Sequence, residues 1–379
     1  MARLNEVCSL NMGQSPDSSS YNENGDGLPF FQGNADFGAL HPKVRIWCNA
    51  PTKIAHSGDI LISVRAPIGA LNIADRECCI GRGLAALTVD ETLCNSRYLW
   101  YAIANKVDEL NSKGTGSTFK AISKNVLGET EIPLPSLDRQ QHISVILDKL
   151  SSLISLRKQQ LVKLDELVKA RFVEMFGDML LNPMSWTEKP LEGIADIVSG
   201  ITKGRKTQST ELIEVPYMAV SNVKDGYIDW TTVKTIMATQ SEIDQYRILP
   251  NDVLMTEGGD PDKLGRGAVI CEPLENCIHQ NHIFRVRLNR SIVLPEFFAE
   301  YLQHQKAKRY FLGCAKQTTG IASINMKQLR ALPVLLPTIS SQKIFSDFVE
   351  KVGRQKLTIQ QSLDKLEVLK KLLMQEYFG

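Results

Sequence analysis

This chain holds no uninterrupted apolar run of the roughly 20 residues needed to cross a bilayer. Its first residues, Met1 to Gly13, lack the apolar stretch of a secretory signal. Eight cysteines include no CxxC pair and no regular spacing, which argues against a disulfide framework and suits reduced thiols. Charge of one sign is scarce too: 44 Lys+Arg against 42 Asp+Glu leave a net +2. A protein that coats nucleic acid by charge alone is thereby excluded. Nor is charge segregated, since residues 1–136 carry 12 Lys+Arg against 14 Asp+Glu, and residues 178–338 carry 18 of each. Any site for a polyanion must be a local patch. The expectation is a cytoplasmic globular protein with no membrane contact, its 379 residues forming two to three domains.

Catalytic signatures are absent as well. There is no GxxxxGK(S/T) loop and no GxSxG elbow; the glycine-rich stretches Gly81–Leu87 and Lys113–Lys120 match neither. An adenine methyltransferase needs a (D/N)PP(Y/F) loop, and Asn182–Trp186 supplies only its first proline, so it reads as a linker. Six histidines yield one suggestive cluster, Cys277, His279 and His282. In a strand these alternate faces, and gaps of one and two residues suit a closed zinc site poorly. The reading is no catalytic residue, no metal and no cofactor.

What the sequence does have is a repeat. "EIPLPSLDRQQHI" (Glu131–Ile143) returns as "LPVLLPTISSQKI" (Leu332–Ile344), with Gln140 falling on Gln342 at a spacing of 202. At that spacing Leu161 meets Leu363, Leu164 meets Leu366, and "EMFG" (Glu174–Gly177) meets "EYFG" (Glu376–Gly379). Roughly sixty residues match without a gap. Earlier segments match at other spacings: Leu4–Gly13 with Leu191–Gly200, and Gly58–Ser63 with Asn251–Thr256. Changing spacings mean loop insertions in a shared scaffold. The chain reads as a tandem duplication of a globular unit and a long helix.

In each copy a proline-ended strand meets a helix capped by Ser136 or Thr338. Leu147, Leu150, Ile154, Arg157, Leu161, Leu164, Val168 and Arg171 then alternate steps of three and four, the seam of a coiled coil. The second copy gives Val352, Lys356, Ile359, Leu363, Leu366, Lys370 and Leu373, its cations falling where the first copy is apolar and the reverse. Pairing is expected through Leu150, Ile154, Leu161, Leu164 and Val168 on one helix and Val352, Ile359, Leu363, Leu366 and Leu373 on the other. Gly177 and Gly379 suit C-terminal caps. A helix of about 39 residues is about 58 Å long. If the two run antiparallel, a head sits at each end of a stiff rod.

The heads mix periods. "GDILISVR", "GLAALTV", "NDVLMT", "GAVI" and "NHIFRVRL" read as strands, and Ser96–Val107 and Pro295–Phe311 as helices. The expected fold is α+β: two pseudo-symmetric globular domains at 1–136 and 179–338, each followed by a long helix (137–178 and 339–379). Turn residues in the heads suit DNA, because Gln and Asn bond adenine bidentately, Arg bonds guanine, and Lys, Ser and Thr suit phosphates. Candidates in the first head are Gln32, Asn34, Arg65, Arg82, Ser117 and Lys120. In the second they are Lys203, Arg205, Ser221, Asn222, Lys263, Arg266, Asn281, His282, Lys316 and Thr318. Solvated turns without a ligand remain an alternative for each.

Together, "LPFFQGNADFG", "GDILISVRAPIGALNIA" with "CIGRGLAAL", the strand–proline–Gln junction, and "FGD" after the helix resemble the specificity subunit of type I restriction–modification enzymes. The resemblance covers the whole chain, strongest at 28–87 and 117–178. It implies two target recognition domains, each contacting one half of a bipartite site in double-stranded DNA. It implies paired helices that set the gap and dock two modification (methyltransferase) subunits. These partners would carry the S-adenosylmethionine and the adenine methylation, with ATP-hydrolysing restriction subunits as optional further partners. A coiled-coil scaffold without DNA contacts and a free-standing DNA-modifying enzyme remain the alternatives.

Overall fold

The computed structural model describes residues 1–116, 120–205, 211–260, 264–318 and 321–379, without the side chains of Gln317, Thr318 and Ile321. The chain divides into two units, residues 1–159 with 360–379, and residues 160–359. Each contains a head, the start of the helix that follows it, and the end of the other long helix.

The first unit comprises β1 (Ala2–Arg3), β2 (Cys8–Met12), β3 (Leu28–Phe31), β4 (Ile60–Ser63), β5 (Leu71–Ile73), β6 (Cys78–Ile80), β7 (Leu84–Val89), α1 (Ser96–Asn105), β8 (Glu131–Ile132) and the start of α2 (Leu137–Phe176), besides shorter pieces. An antiparallel sheet runs in the order β2-β7-β4-β5. The run Ile60-Leu61-Ile62 is apolar at successive positions because both faces of this sheet are covered. Ile60 and Ile62 join a core with Tyr98 and Leu99 of α1, while Leu61 joins Phe31, Ile80 and Ala86 on the other face. A second sheet holds β3 and β6 side by side and parallel, Phe31 opposite Ile80.

The second unit repeats this plan with β9 (Thr187–Pro190), β10 (Ala195–Ser199), β11 (Ile213–Met218), β12 (Val253–Thr256), β13 (Gly267–Val269), β14 (Ile278–His279), β15 (Ile283–Leu288), α3 (Pro295–Gln303), β16 (Pro333–Leu336) and α4 (Ile339–Phe378). Its antiparallel sheet is ordered β10-β15-β12-β13. Val253 and Met255 face one core while Leu254 faces another, and β11 and β14 form the parallel pair. The strands and the α+β class read from the sequence are present. Two helices differ: the expected Ser96–Val107 ends at Asn105 with a second helix over Val107–Ser112, and the expected Pro295–Phe311 ends at Gln303 with a second helix over Gln305–Cys314. His304 between the latter two is extended, and its Nδ1 accepts from Lys306 N, capping the new helix.

The repeated junction carries the same hydrogen bonds twice. Gln140 Oε1 accepts from Asn95 N at 2.8 Å, and its Nε2 donates to Leu93 O and Pro135 O. Gln342 Oε1 accepts from Leu294 N at 2.9 Å, and its Nε2 donates to Ile292 O and Pro337 O. Both side chains are fully buried. Each glutamine thus ties the first turn of a long helix to the loop before the head's own helix. Replacing either by Ala orphans one buried N–H and two carbonyls, and about 2 kcal/mol should be lost from the unit concerned. Equal losses in denaturant titrations of Gln140→Ala and Gln342→Ala are expected; a neutral effect at either would show that its loop is not held this way.

Both long helices run 40 residues. Gly177 closes the first at φ +74, its N–H donating to Val173 O, and Thr338 Oγ1 accepts from Ser341 N at the start of the second. Along their middles the seam positions Ile154, Leu161, Leu164 and Val168, and Val352, Ile359, Leu363 and Leu366, are partly or fully buried, and nearly all their immediate neighbours are exposed. In the first unit Arg139 lies over the Tyr377 ring and Lys158 pairs with Glu367 at 2.8 Å. In the second, Lys356 pairs with Asp165 at 2.5 Å and Arg171 lies over Phe348. The matched "FG" ends exchange cores. Phe176, which ends the first helix, packs against Phe297 and Phe345 of the second unit, while Phe378 packs against Tyr98 of the first.

Candidate nucleic-acid interface

In each unit the parallel strand pair sends two loops off the same edge, and a third arrives from the central sheet. In the first unit β3 leads into Gln32 and Asn34, and the β6–β7 turn carries Arg82 between Gly81 and Gly83. A Cβ on Gly83 would lie 2.3 Å from Gln32 O, so only glycine permits this approach. Gly83 O accepts from Val64 N at 2.9 Å, which sets the end of β4 and Arg65 beside it. Arg65 is bridged to Ala121, and Ala66 N donates to Lys120 O. Gln32, Arg65, Arg82 and Lys120 are all exposed on adjoining loops and Asn34 is partly exposed. Ser117 lies outside the described residues.

Four other arginines of this head have acidic partners: Arg3 with Glu129, Arg45 with Asp36, Arg76 with Asp75, and Arg97 with Asp148. Among the described residues, Arg65 and Arg82 pair with none. Two guanidinium groups without acidic partners thus lie on adjoining loops of one rim, a local positive patch.

The second unit places other side chains on the equivalent rim. Ser221 is exposed after β11, Asn281 and His282 form the β14–β15 turn, and Lys203 is exposed beyond Ile201, whose carbonyl accepts from Asn281 N. Lys316 is exposed on a strand paired with Ala322–Ser323, and Ala322–Ser323 pair on their other side with Gly258–Gly259. Thr318 is described only in its backbone, opposite Ile321. Lys263 lies outside the described residues.

Three of the sequence candidates are placed differently. Asn222 is buried; its amide donates to Asp229 O and Thr232 Oγ1 while its carbonyl accepts from Ala219 N, so it holds the loop and presents nothing to a ligand. Arg205 is bound by the Glu242 carboxylate, whose pKa that bond lowers. Arg266 is partly buried, with its Nε unpartnered. Two residues outside the candidates named above lie beside them. Glu257 Oε2 meets His282 Nδ1 at 2.5 Å, and Gln280 Oε1 accepts from Val220 N. The signal for Glu257 was a carboxylate at a strand end where the other copy has Val64.

His279, next to this turn, is fully buried. Its Nδ1 faces Ile283 O at 3.1 Å, Nε2 has no partner, and burial together with the Arg285 charge lowers its pKa to about 4. Cys277 is also buried, whereas His282 is exposed. Among the described residues no group of His, Cys, Asp and Glu is placed to hold a metal, and no helix is long and apolar enough to cross a membrane.

Fold and rim together define a duplicated α+β protein that presents the same loop edge twice with different side chains. The family model of the type I restriction modification DNA specificity domain matches residues 1–166 and 183–369, and the chain belongs to this family. It is 40% identical over 158 residues, 42% of its length, to the putative type I restriction enzyme MjaX specificity subunit of Methanocaldococcus jannaschii, matching 37% of that protein. It is 22% identical over 276 residues, 69% of its length, to the type I restriction enzyme EcoKI specificity subunit of Escherichia coli, matching 58% of that protein. The chain thus spans less than two thirds of either relative. Its fold is similar to the crystal structure of the type I restriction-modification system S subunit from M. genitalium, with a TM-score of 0.62, 15% identity, and coverage of 100% of this chain and 95% of that one.

Proposed function

We propose that this chain is the DNA-recognition subunit of a type I restriction–modification assembly, each head reading one half of a bipartite site in duplex DNA. The observation that carries this is the rim itself. One scaffold, repeated, presents Gln32, Arg65 and Arg82 in one unit and Ser221, Asn281 and Lys316 in the other. A duplicated frame with divergent loop chemistry is what two different half-sites require, because base edges are told apart by donor and acceptor patterns. The chain itself performs no chemistry in this reading. Methylation, with S-adenosylmethionine, belongs to two methyltransferase subunits, restriction subunits are optional partners, and the assembly works in the cytoplasm.

The long helices pair as an antiparallel coiled coil and act as the spacer. Support comes from partners that ascend on one helix as they descend on the other: Arg139 with Tyr377, Lys158 with Glu367, Asp165 with Lys356, and Arg171 with Phe348. Two of the seam cations, Arg171 and Lys356, are thereby given partners on the other helix, which favours one register. The test is methyladenine mapping in cells that express the chain with its methyltransferase subunit. A bipartite motif that disappears without the chain is expected, and one extra heptad in each helix should change the gap between its halves. An unchanged gap would sink the spacer role; methylation independent of the chain would sink the reading as a whole.

A further inference from the structure

The hydrogen bonds of the two units establish a residue-by-residue equivalence on the rim. Gln14 N donates to Ile80 O, as Ile201 N does to His279 O. Leu84 N donates to Gly81 O, as Ile283 N does to Gln280 O. Val64 N donates to Gly83 O and Val64 O accepts from Ile122 N; Glu257 N donates to His282 O and Glu257 O accepts from Ile324 N. Arg82 and Asn281 therefore occupy one position of the repeated scaffold. Around it, Gly83 is replaced by His282 and Val64 by Glu257.

These replacements give Asn281 a fixed orientation. His282 Nδ1 faces the Glu257 carboxylate at 2.5 Å, and Asn281 Nδ2, which can only donate, lies 3.2 Å from His282 Nε2. The tautomer with its hydrogen on Nδ1 satisfies both contacts, Nε2 accepting one amide N–H. The Asn281 backbone is held on both sides, its N–H donating to Ile201 O and its carbonyl accepting from Ser199 Oγ at 2.7 Å. What remains open is one amide N–H and the amide oxygen, side by side. This donor–acceptor pair complements N7 and N6–H2 of adenine in the major groove. At the equivalent position Arg82, exposed and without an acidic partner among the described residues, presents two donors, the complement of guanine O6 and N7.

Resting on the recognition role proposed above, we infer that Asn281 and Arg82 are equivalent base readers of opposite preference. Asn281 selects adenine in one half-site and Arg82 guanine at the corresponding step of the other. Glu257 and His282 are positioning residues for Asn281. They touch no base, and act by denying the amide its flipped orientation.

The experiment is methylation of duplex pools randomised within each half-site, using the full chain assembled with its methyltransferase subunits. Asn281→Ala should cut discrimination at a single A·T pair about tenfold or more. Arg82→Ala should do so at a single G·C pair of the other half-site, each variant leaving the opposite half-site unchanged as evidence of folding. Glu257→Gln, nearly isosteric, should weaken discrimination at the Asn281 base pair alone, a base-specific loss that a general packing role would not produce. Combining Glu257→Val, Asn281→Arg and His282→Gly should move that preference from adenine to guanine. If Asn281→Ala and Arg82→Ala leave the motif unchanged while exchange of a whole head alters it, the inference fails and the recognition role stands. If head exchange leaves the motif unchanged, the recognition role fails and the inference falls with it.

Discussion

Phe176→Ala should lower the stability of the second unit by about 3–5 kcal/mol, the range for emptying a buried phenylalanine site. Phe176 is fully buried, with ring centroids 5.1 Å from Phe172, 5.0 Å from Phe297 and 5.5 Å from Phe345. The three contacts are edge-on, a geometry that adds to simple area burial. The rings come from the end of one long helix, the head's own helix and the start of the other long helix. Truncation therefore opens a void where three elements meet and none can close it alone. Because the chain has two units, a single unfolding midpoint would mix their stabilities. Hydrogen exchange resolved by segment is the suitable measurement. Protection should fall in residues 160–359 and persist in residues 1–159, and Phe176→Leu should recover most of it. Loss below about 1 kcal/mol, or loss centred on the first head, would contradict this packing.

Acid should destabilise the second unit through His279. Its pKa is lowered to about 4, first because burial penalises the imidazolium and then because the Arg285 charge opposes it. In the unfolded chain the ring titrates near the ordinary value of about 6.5. Above that pH both states are neutral and the full stability is present. As pH falls below about 6.5 the unfolded state takes up a proton that the folded state refuses. Stability then drops by about 1.4 kcal/mol per pH unit, until the folded ring also protonates near pH 4. The total comes to about 3 kcal/mol. Denaturant midpoints across this range, compared with those of His279→Gln, isolate the contribution: the wild-type chain should show the extra slope and the variant should not. The effect bears on the proposed recognition role, because His279 lies two residues before Asn281, so that turn should loosen first.

The duplication and the burial pattern of the long helices were legible because both are written in periods. A spacing of 202 persists through Gln140 and Gln342, whose hydrogen bonds match one for one. Steps of three and four likewise select the helix positions that are least exposed. Loops carry no period, and there the reading thinned. Asn222 has the chemistry of a base reader, yet its bonds close a turn of its own loop. Arg205 resembles a phosphate contact, yet Glu242 holds it. The break at His304 escaped because an apolar pattern of period 3.6 continues across it. Glu257 was passed over because its role depends on His282, 25 positions away, a pairing that only the sheet register creates.

The composition of the first unit also constrains how the chain is made. Tyr98 lies against Phe378, and Asn105 Nδ2 donates to Phe378 O at 3.1 Å. The head translated first therefore cannot complete its core until residues some 270 positions later have left the ribosome. In the interval the surface around Tyr98 is exposed, a stretch of synthesis lasting tens of seconds at about 5–20 residues per second.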